Sequence, residues 1–321
     1  MTNHLLHILL KMNIKKLFLI IVLFSSCFSG QSQRISTENL KSIKLIEDSL
    51  KTQLIKLTGS AGIKERFNAD SILTKMLVRS LKINNSFYHP FDSLRGVSRL
   101  YAPDSSFRIF TWQIFVSDYI TRQRGAIQMK TSDGSLKLFP LIDKSDITDK
   151  MEDTVGNNLG WMGAVYYKLL LNKYQNKNFY TLIGYDANNI RSAKKIIEVL
   201  HFENNEPVFG GPYFVCNECD NKNPSRYIME YKKEASARLN YDEELRMIVM
   251  EHLISENNEP QKKWTLIGDG DYDAFKWESG KWGFVNKIFN MVTPEGAPPI
   301  PSTIRDEKGT IDENKLDSNK P

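Results

Sequence analysis

Three aspartates, Asp269, Asp271 and Asp273, alternate along one short stretch, and carboxylate oxygens at this spacing could bind a calcium ion. They match the first three ligand positions of an EF-hand loop. Ala274 and Gly280, however, occupy the positions at which that loop needs a glycine and a bidentate glutamate. The sequence therefore leaves two interpretations: a calcium site of another geometry, or a polar entry to a strand with the aspartates on one solvated face.

Two tryptophans follow directly, and their flat rings could stack on sugar rings. Trp277 and Trp282 flank the turn Glu278-Ser279-Gly280. In a hairpin the two rings would be cross-strand neighbours, which is also a common way to stabilise a sheet. The pattern predicts such a hairpin, with Gly280 taking the positive φ of a tight turn. Glycan binding by Trp277 and Trp282 remains the candidate functional role.

The pair Cys216 and Cys219 could form a disulfide, ligate zinc or do redox chemistry. A zinc site needs two further ligands, and His89, His201 and His252 show no paired spacing. A redox pair normally opens a helix, whose terminus lowers the thiol pKa, whereas polar loop residues follow this one. A structural disulfide or a pair of idle thiols is the favoured interpretation.

The familiar nucleophile and phosphate motifs are absent from the sequence. It contains no Gly-x-Ser-x-Gly elbow, no His-Glu-x-x-His and no P-loop. His252 and Glu256 are four residues apart and would face one another on a helix, but the surrounding apolar run fits a strand equally well. The acid and base carboxylates of hydrolases come from distant segments. The sequence therefore assigns no catalytic residue.

The elements that must position these residues change character along the chain. Residues 33–85 show apolar residues at spacings of three and four, which predicts a helix over 37–57 and a second one that begins near Asn68. Residues 86–292 show period-two runs separated by short turns, which predicts antiparallel strands. Phe110, Trp112 and Ile114 alternate with further apolar residues, as in a strand buried on both faces.

These patterns predict an α+β, mainly β fold in which N-terminal helices pack on a large antiparallel β-domain, barrel-like or sandwich-like. A propeller is the alternative, because the turn at 101–105 resembles those of propeller blades. The blade period of that fold does not recur along the chain.

Both ends of the sequence lie outside this predicted domain. Lys15 and Lys16 precede a short apolar run and small residues, so residues 1–32 are predicted to be a signal peptide. Lipidation of Cys27 is the alternative processing route. Residues 293–321 are rich in proline and poor in apolar side chains, which predicts a disordered tail.

The charge balance argues against nucleic acid as a partner. The formal net charge is +5, but three of the lysines lie in the predicted signal peptide, which contains no acid, so the remainder carries about +2. That balance also gives no reason to expect binding to an anionic membrane surface. We expect membrane contact only through a lipid on Cys27.

Five segments resemble those of uncharacterised exported proteins from Bacteroidota: YAPDSSFRIFTWQI, NNLGWMGAVYYKLL, FYTLIGYDANN, RYIMEYKKEASARLNYD and YDAFKWESGKW. The resemblance spans roughly residues 100–290. It implies an exported protein of the periplasm, outer membrane or cell surface, and it supplies no catalytic residue that can be transferred to this chain. The favoured function is non-catalytic binding of an envelope protein or a glycan, with no cofactor apart from the calcium candidate. The alternative is a hydrolase of envelope or extracellular polymer that uses carboxylates of the β-domain.

Overall fold

The computed structural model describes residues 34–58, 62–117, 119–219 and 221–289. In this part of the chain, one layer of helices packs with three β-sheets. The predicted signal peptide (residues 1–32, with Cys27) and the predicted tail (293–321) lie outside the described residues.

The helical layer consists of α1, Thr37–Thr58, and α2, Ile63–Leu81. Their buried apolar residues follow the predicted spacing: Ile43, Leu50, Leu54 and Leu57 in α1, and Leu73, Leu77 and Leu81 in α2. The predicted start of α2 at Asn68 is wrong. Gly62 caps the helix in an extended conformation, and its N–H donates to Glu65 Oε2 (3.3 Å), so the helix begins before Asn68. Neither described helix has the length and apolar content needed to cross a bilayer.

The strands, in chain order, are β1 Ser98–Tyr101, β2 Phe107–Phe115, β3 Thr121–Met129, β4 Lys137–Ile142, β5 Gly156–Asn157, β6 Val165–Tyr174, β7 Lys177–Asp186, β8 Ser192–Glu203, β9 Glu206–Phe209, β10 Phe214–Val215, β11 Arg226–Lys232, β12 Leu239–Asp242, β13 Met247–Ser255, β14 Leu266–Glu278 and β15 Lys281–Val285.

They form three sheets. The first sheet has the order β1-β2-β3-β4, and the outer sheet has the order β10-β15-β14-β13-β12. The central sheet has the order β5-β9-β8-β7-β6, and β11 also pairs with β8. The paired strands are antiparallel, as predicted, apart from β10, which runs parallel to β15.

The side chains of β2 show that the first sheet lies between the helices and the central sheet. Phe110 and Trp112 pack in one core with the leucines of both helices. Phe107 and Ile109 point the other way, into a second core shared with the central sheet. The prediction that this strand is buried on both faces is confirmed.

The central sheet is also covered on both faces. From β7, Tyr180 and Leu182 enter the core shared with the first sheet, whereas Phe179 and Ile183 enter the core shared with the outer sheet. The layers therefore follow the order helices, first sheet, central sheet, outer sheet. The predicted α+β, mainly β class is confirmed; the described sheets stack as in a sandwich, and none of them closes into a barrel.

Candidate functional site

The two tryptophans of the sequence motif lie on the predicted hairpin, which β14 and β15 form. Trp277 is directly opposite Trp282, and Ser279 and Gly280 make the turn with φ of 50° and 81°. Trp282 is fully buried, and its Nε1 donates to Thr181 Oγ1 (3.0 Å) on the central sheet. The hairpin prediction is confirmed, and Trp282 fixes the outer sheet against the central one.

Trp277 is only partly buried and belongs to a cluster of aromatic rings. Its ring centroid lies 5.3 Å from that of Trp282 and 6.0 Å from that of Phe179. Phe179 in turn lies 5.2 Å from Tyr213, which meets His201 at 5.5 Å. These rings converge where β7 begins and β8 ends, at one end of the two sheets.

A cavity of about 450 Å³ opens beside this cluster, and we call it the aromatic cavity. Its lining combines rings with amide and charged groups: Asn176, Lys177, Asn178, Phe179, Tyr180, His201, Phe202, Glu203 and Tyr213. His201 Nε2 lies 3.0 Å from Glu203 Oε1. Burial, together with the charge of Glu203, raises the pKa of Tyr213, so its hydroxyl remains available as a donor.

The segment around the two cysteines holds Tyr213 in this cavity. Cys216 and Cys219 form a disulfide, with Cα atoms 5.3 Å apart. Just before it, β10 pairs with β15, and the N–H of Trp282 donates to the carbonyl oxygen of Tyr213 (2.7 Å). Among the described residues, no three histidine, cysteine, aspartate or glutamate side chains cluster so as to hold a metal.

The three aspartates lie within β14, and each has a partner. His252 Nδ1 on β13 is 2.8 Å from Asp273 Oδ2, and Asp269 Oδ1 accepts a hydrogen bond from the backbone N–H of Asp271 (3.0 Å). Lys287 Nζ pairs with Asp271 at 2.6 Å and lowers the pKa of that carboxyl through a hydrogen bond and its charge.

The expectation that all three aspartates share a solvated face is wrong for Asp273, which is buried. Met250 lies directly opposite Asp273, and His252, two residues further along β13, points to the same side of the sheet. The register then shifts, so that residues 269–271 of β14 all lie opposite His252. The backbone N–H of Lys287 also donates to Asp273 Oδ1 (3.0 Å). Calcium binding by Asp269, Asp271 and Asp273 stays the untested alternative to a structural role.

His252 also lines a second concave region, which runs along β11 and which we call the polar groove. Its inner cavity, about 270 Å³, is lined by Glu152, Tyr227, Ile228, Met229, Glu230, Glu251, His252, Leu253, Lys263, Leu266 and Asp273. Its outer cavity, about 730 Å³, shares Glu152, Ile228 and Glu230 with the inner one. Burial and the charges of Asp273 and Glu152 raise the pKa of Tyr227.

A buried ion pair holds one wall of the polar groove. Arg226 Nε on β11 lies 3.1 Å from Glu198 Oε2 on β8, and neither side chain is exposed to solvent. The same guanidinium donates to the carbonyl oxygens of Met151 and Thr154, and the N–H of Ser225 donates to that of Glu152 (2.7 Å). These bonds fix the segment 151–154, which carries Glu152, against the central sheet.

The sequence did not reveal these partnerships. His252 pairs with Asp273 on the neighbouring strand, whereas Glu256, four residues along, pairs with Lys232 at 2.8 Å. The helical interpretation of that spacing is wrong, because β13 is a strand. Comparison with protein-family models, curated proteins and solved structures finds no match.

Proposed function

We propose that this protein is a non-catalytic binding protein of the cell envelope and that its ligand is a glycan held in the aromatic cavity. The observation that carries the proposal is the cavity itself, in which rings from three separate segments meet amide, imidazole and carboxylate groups. Its volume of about 450 Å³ is within the usual range for a small-molecule site.

The chemistry of the lining suits a sugar. The C–H faces of a pyranose ring are apolar and pack on aromatic faces such as those of Tyr213 and Phe202, whereas hydroxyl groups at the ring edge need hydrogen-bond partners. Asn176, Asn178 and the His201–Glu203 pair offer both donors and acceptors at the cavity wall. Trp282, being fully buried, supports the site without touching a ligand.

Glycan-array screening followed by calorimetry with the selected oligosaccharide tests this proposal. Tyr213→Ala should weaken binding at least about tenfold, or about 1.4 kcal/mol. Asn178→Ala should weaken binding in the same direction. Trp264→Ala is the matched control, because Trp264 is an exposed aromatic residue outside the cavity. Equal affinities of the Tyr213→Ala variant and the parent, or no glycan bound at all, would contradict the proposal.

The proposed setting is the periplasm, the outer membrane or the cell surface. The signal-like pattern of residues 1–32 and the disulfide between Cys216 and Cys219 support it, since disulfides persist in oxidising compartments. Intact-mass analysis of the protein from fractionated cells should find a chain that begins after residue 26, with a lipid on Cys27, or near residue 33. A mature chain that retains Lys15 and Lys16 would contradict export by this route.

The polar groove favours a second candidate function, hydrolysis of an envelope or extracellular polymer. The specific observation is that carboxylates of Glu152, Glu230, Glu251 and Asp273 converge on the inner cavity. Release of new chain ends from cell-wall and capsular polymers, abolished by Glu230→Gln, would support this candidate. Unchanged release by Glu230→Gln and Glu152→Gln would count against it.

A further inference from the structure

The hydrogen bonds around His252 define which of its ring nitrogens is available. Asp273 Oδ1 accepts from the backbone N–H of Lys287 (3.0 Å), and Asp273 Oδ2 lies 2.8 Å from His252 Nδ1. A carboxylate can only accept hydrogen bonds, so the ring proton of neutral His252 belongs on Nδ1. Nε2 then carries the lone pair.

That lone pair has no hydrogen-bonding partner among the described residues. The nearest oxygen of Asp269 is 4.0 Å away, which is beyond hydrogen-bond distance. The His252 side chain is about 30% exposed and lines the inner cavity of the polar groove. A general base is commonly arranged in this way: a carboxylate orients the imidazole, and the free ring nitrogen faces a cavity that a substrate can enter.

We propose that the inner cavity of the polar groove is a hydrolytic site for neutral or cationic carboxylic esters, with His252 as the general base. Asp273 is a positioning residue, which holds the imidazole through Nδ1. The proposal deepens the hydrolase candidate and rests on it. It would replace the non-catalytic assignment, but it is compatible with glycan binding in the aromatic cavity.

The reaction needs only water as a co-reactant. A water hydrogen-bonded to His252 Nε2 attacks the ester carbonyl carbon, its proton passes to Nε2, and the carbonyl π electrons move to the oxygen. The tetrahedral intermediate then breaks the bond to the alcohol oxygen, which takes the proton from His252. Ester and water become acid and alcohol, and the imidazole is restored. Lys263, which also lines the cavity, can stabilise the developing oxyanion.

The charges around the cavity select among esters. Glu152, Glu230, Glu251 and Asp273 line it, and Lys263 is the lysine that opposes them. Glu230 and Glu251 are held in place by hydrogen bonds from Asn188 Nδ2 (3.2 Å) and the N–H of Arg238 (2.8 Å). An anionic substrate would meet this carboxylate field and be repelled, whereas an ester with a quaternary ammonium group would be attracted.

Steady-state hydrolysis by the full chain tests the proposal with three acyl esters of different charge: acetylcholine, 4-nitrophenyl acetate and 4-nitrophenyl succinate. We expect saturable turnover of the first two. Once kcat/KM is divided by each ester's rate constant for uncatalysed hydrolysis, which corrects for the different leaving groups, it should be highest for the cation and lowest for the anion. His252→Gln should lower kcat/KM about 100-fold or more. Lys263→Ala should lower kcat, whereas Lys262→Ala, its exposed neighbour outside the cavity, should leave kcat unchanged.

Asp273→Asn separates a positioning role from a purely structural one. It should lower kcat with little change in KM, because the imidazole is misoriented while the cavity is kept. Circular dichroism and thermal melting establish that each variant is folded. If His252→Gln is folded and retains the parental kcat/KM, or if the anionic ester is preferred, the proposal is wrong.

Measuring polymer cleavage and ester hydrolysis on the same variants distinguishes failure of the ester site from failure of the hydrolase candidate on which it rests. Polymer cleavage that requires Glu230 but survives His252→Gln, without ester turnover, would leave the hydrolase standing and overturn the ester site. Absence of both activities would overturn both proposals.

Discussion

At the scale of single residues, Trp277 and Trp282 differ in burial and should differ in their contribution to stability. Trp282→Ala should lower the free energy of unfolding by about 3–5 kcal/mol, because it empties a fully buried site and removes the bond to Thr181. Trp277→Ala should cost less, because its ring is partly exposed. Urea denaturation measures both. The exposed Trp264 is the control, and a Trp282→Ala effect no larger than that of Trp264→Ala would contradict this.

Calcium should leave the melting temperature unchanged. The ammonium group of Lys287 already lies 2.6 Å from Asp271, and His252 and a backbone N–H already bind the carboxylate of Asp273. A cation would have to displace these partners without the glycine and glutamate of an EF-hand. Differential scanning calorimetry with and without millimolar calcium is the measurement. A rise of several degrees that Asp271→Asn abolishes would establish an ion site.

At the scale of elements, a buried carboxylate ties α1 to the segment before β1. Burial alone would raise the pKa of Glu47, but hydrogen bonds from Ser93 and His89, with the charge of His89, outweigh it and lower the pKa below its ordinary 4.5. His89 Nε2 lies 2.7 Å from Glu47 Oε2. The ionised form is therefore favoured in the folded state.

Glu47→Gln should consequently destabilise the protein near neutral pH, and the difference from the parent should shrink in acid. Because the folded-state pKa lies below the unfolded one, the stabilisation is present above pH 4.5 and is lost as the pH falls through the folded-state value. Denaturation of both proteins across that range measures it. Glu38→Gln, at an exposed position of α1, is the control. A difference that grows in acid would refute this prediction.

Helices and strands that a local spacing of apolar residues specifies could be predicted from the sequence. Features that depend on contacts with residues distant in the chain could not. The spacing of the leucines fixed the helical layer, and the alternation in β2 showed its burial on both faces. The start of α2 was predicted too late in the chain. Asn68 is a residue type that commonly caps helices, but the helix is already capped at Gly62, whose N–H is bound by the side chain of Glu65. The parallel pairing of β10 with β15 could not be predicted, because such short strands show no distinctive pattern of apolar residues in the sequence.

At the scale of the whole molecule, the Arg226–Glu198 pair lies inside the central sheet, where a lone charge would be costly. Tyr166 also donates to Glu198 and accepts from Trp161 Nε1 (2.7 Å). Arg226→Met should cost about 3–5 kcal/mol, because it leaves the buried carboxylate without its counter-ion. Adding Glu198→Leu should restore much of that loss. A double-mutant cycle in denaturant measures the coupling, and strictly additive effects would show that the two residues are independent.

The candidate sites also differ in how far the sequence could predict them. The tryptophan hairpin was predictable because its two strands are joined by a short turn. The aromatic cavity was not predictable from the sequence. Phe179 and His201 meet through the pairing of β7 with β8, and Tyr213 joins them only when the outer sheet packs on the central one. His252 and Asp273 likewise meet through the pairing of β13 with β14.

The layers are arranged in space in nearly the same order as their segments occur in the chain. The helices occupy 37–81, the first sheet 98–142, the central sheet 156–232 and the outer sheet 239–285, with β10 as the exception. Because a chain emerges from synthesis N-terminus first, each layer would be delivered after the one on which it packs. Until the next layer emerges, the apolar face made by Phe107 and Ile109 would be uncovered, and it would be the surface through which an incomplete chain is prone to associate.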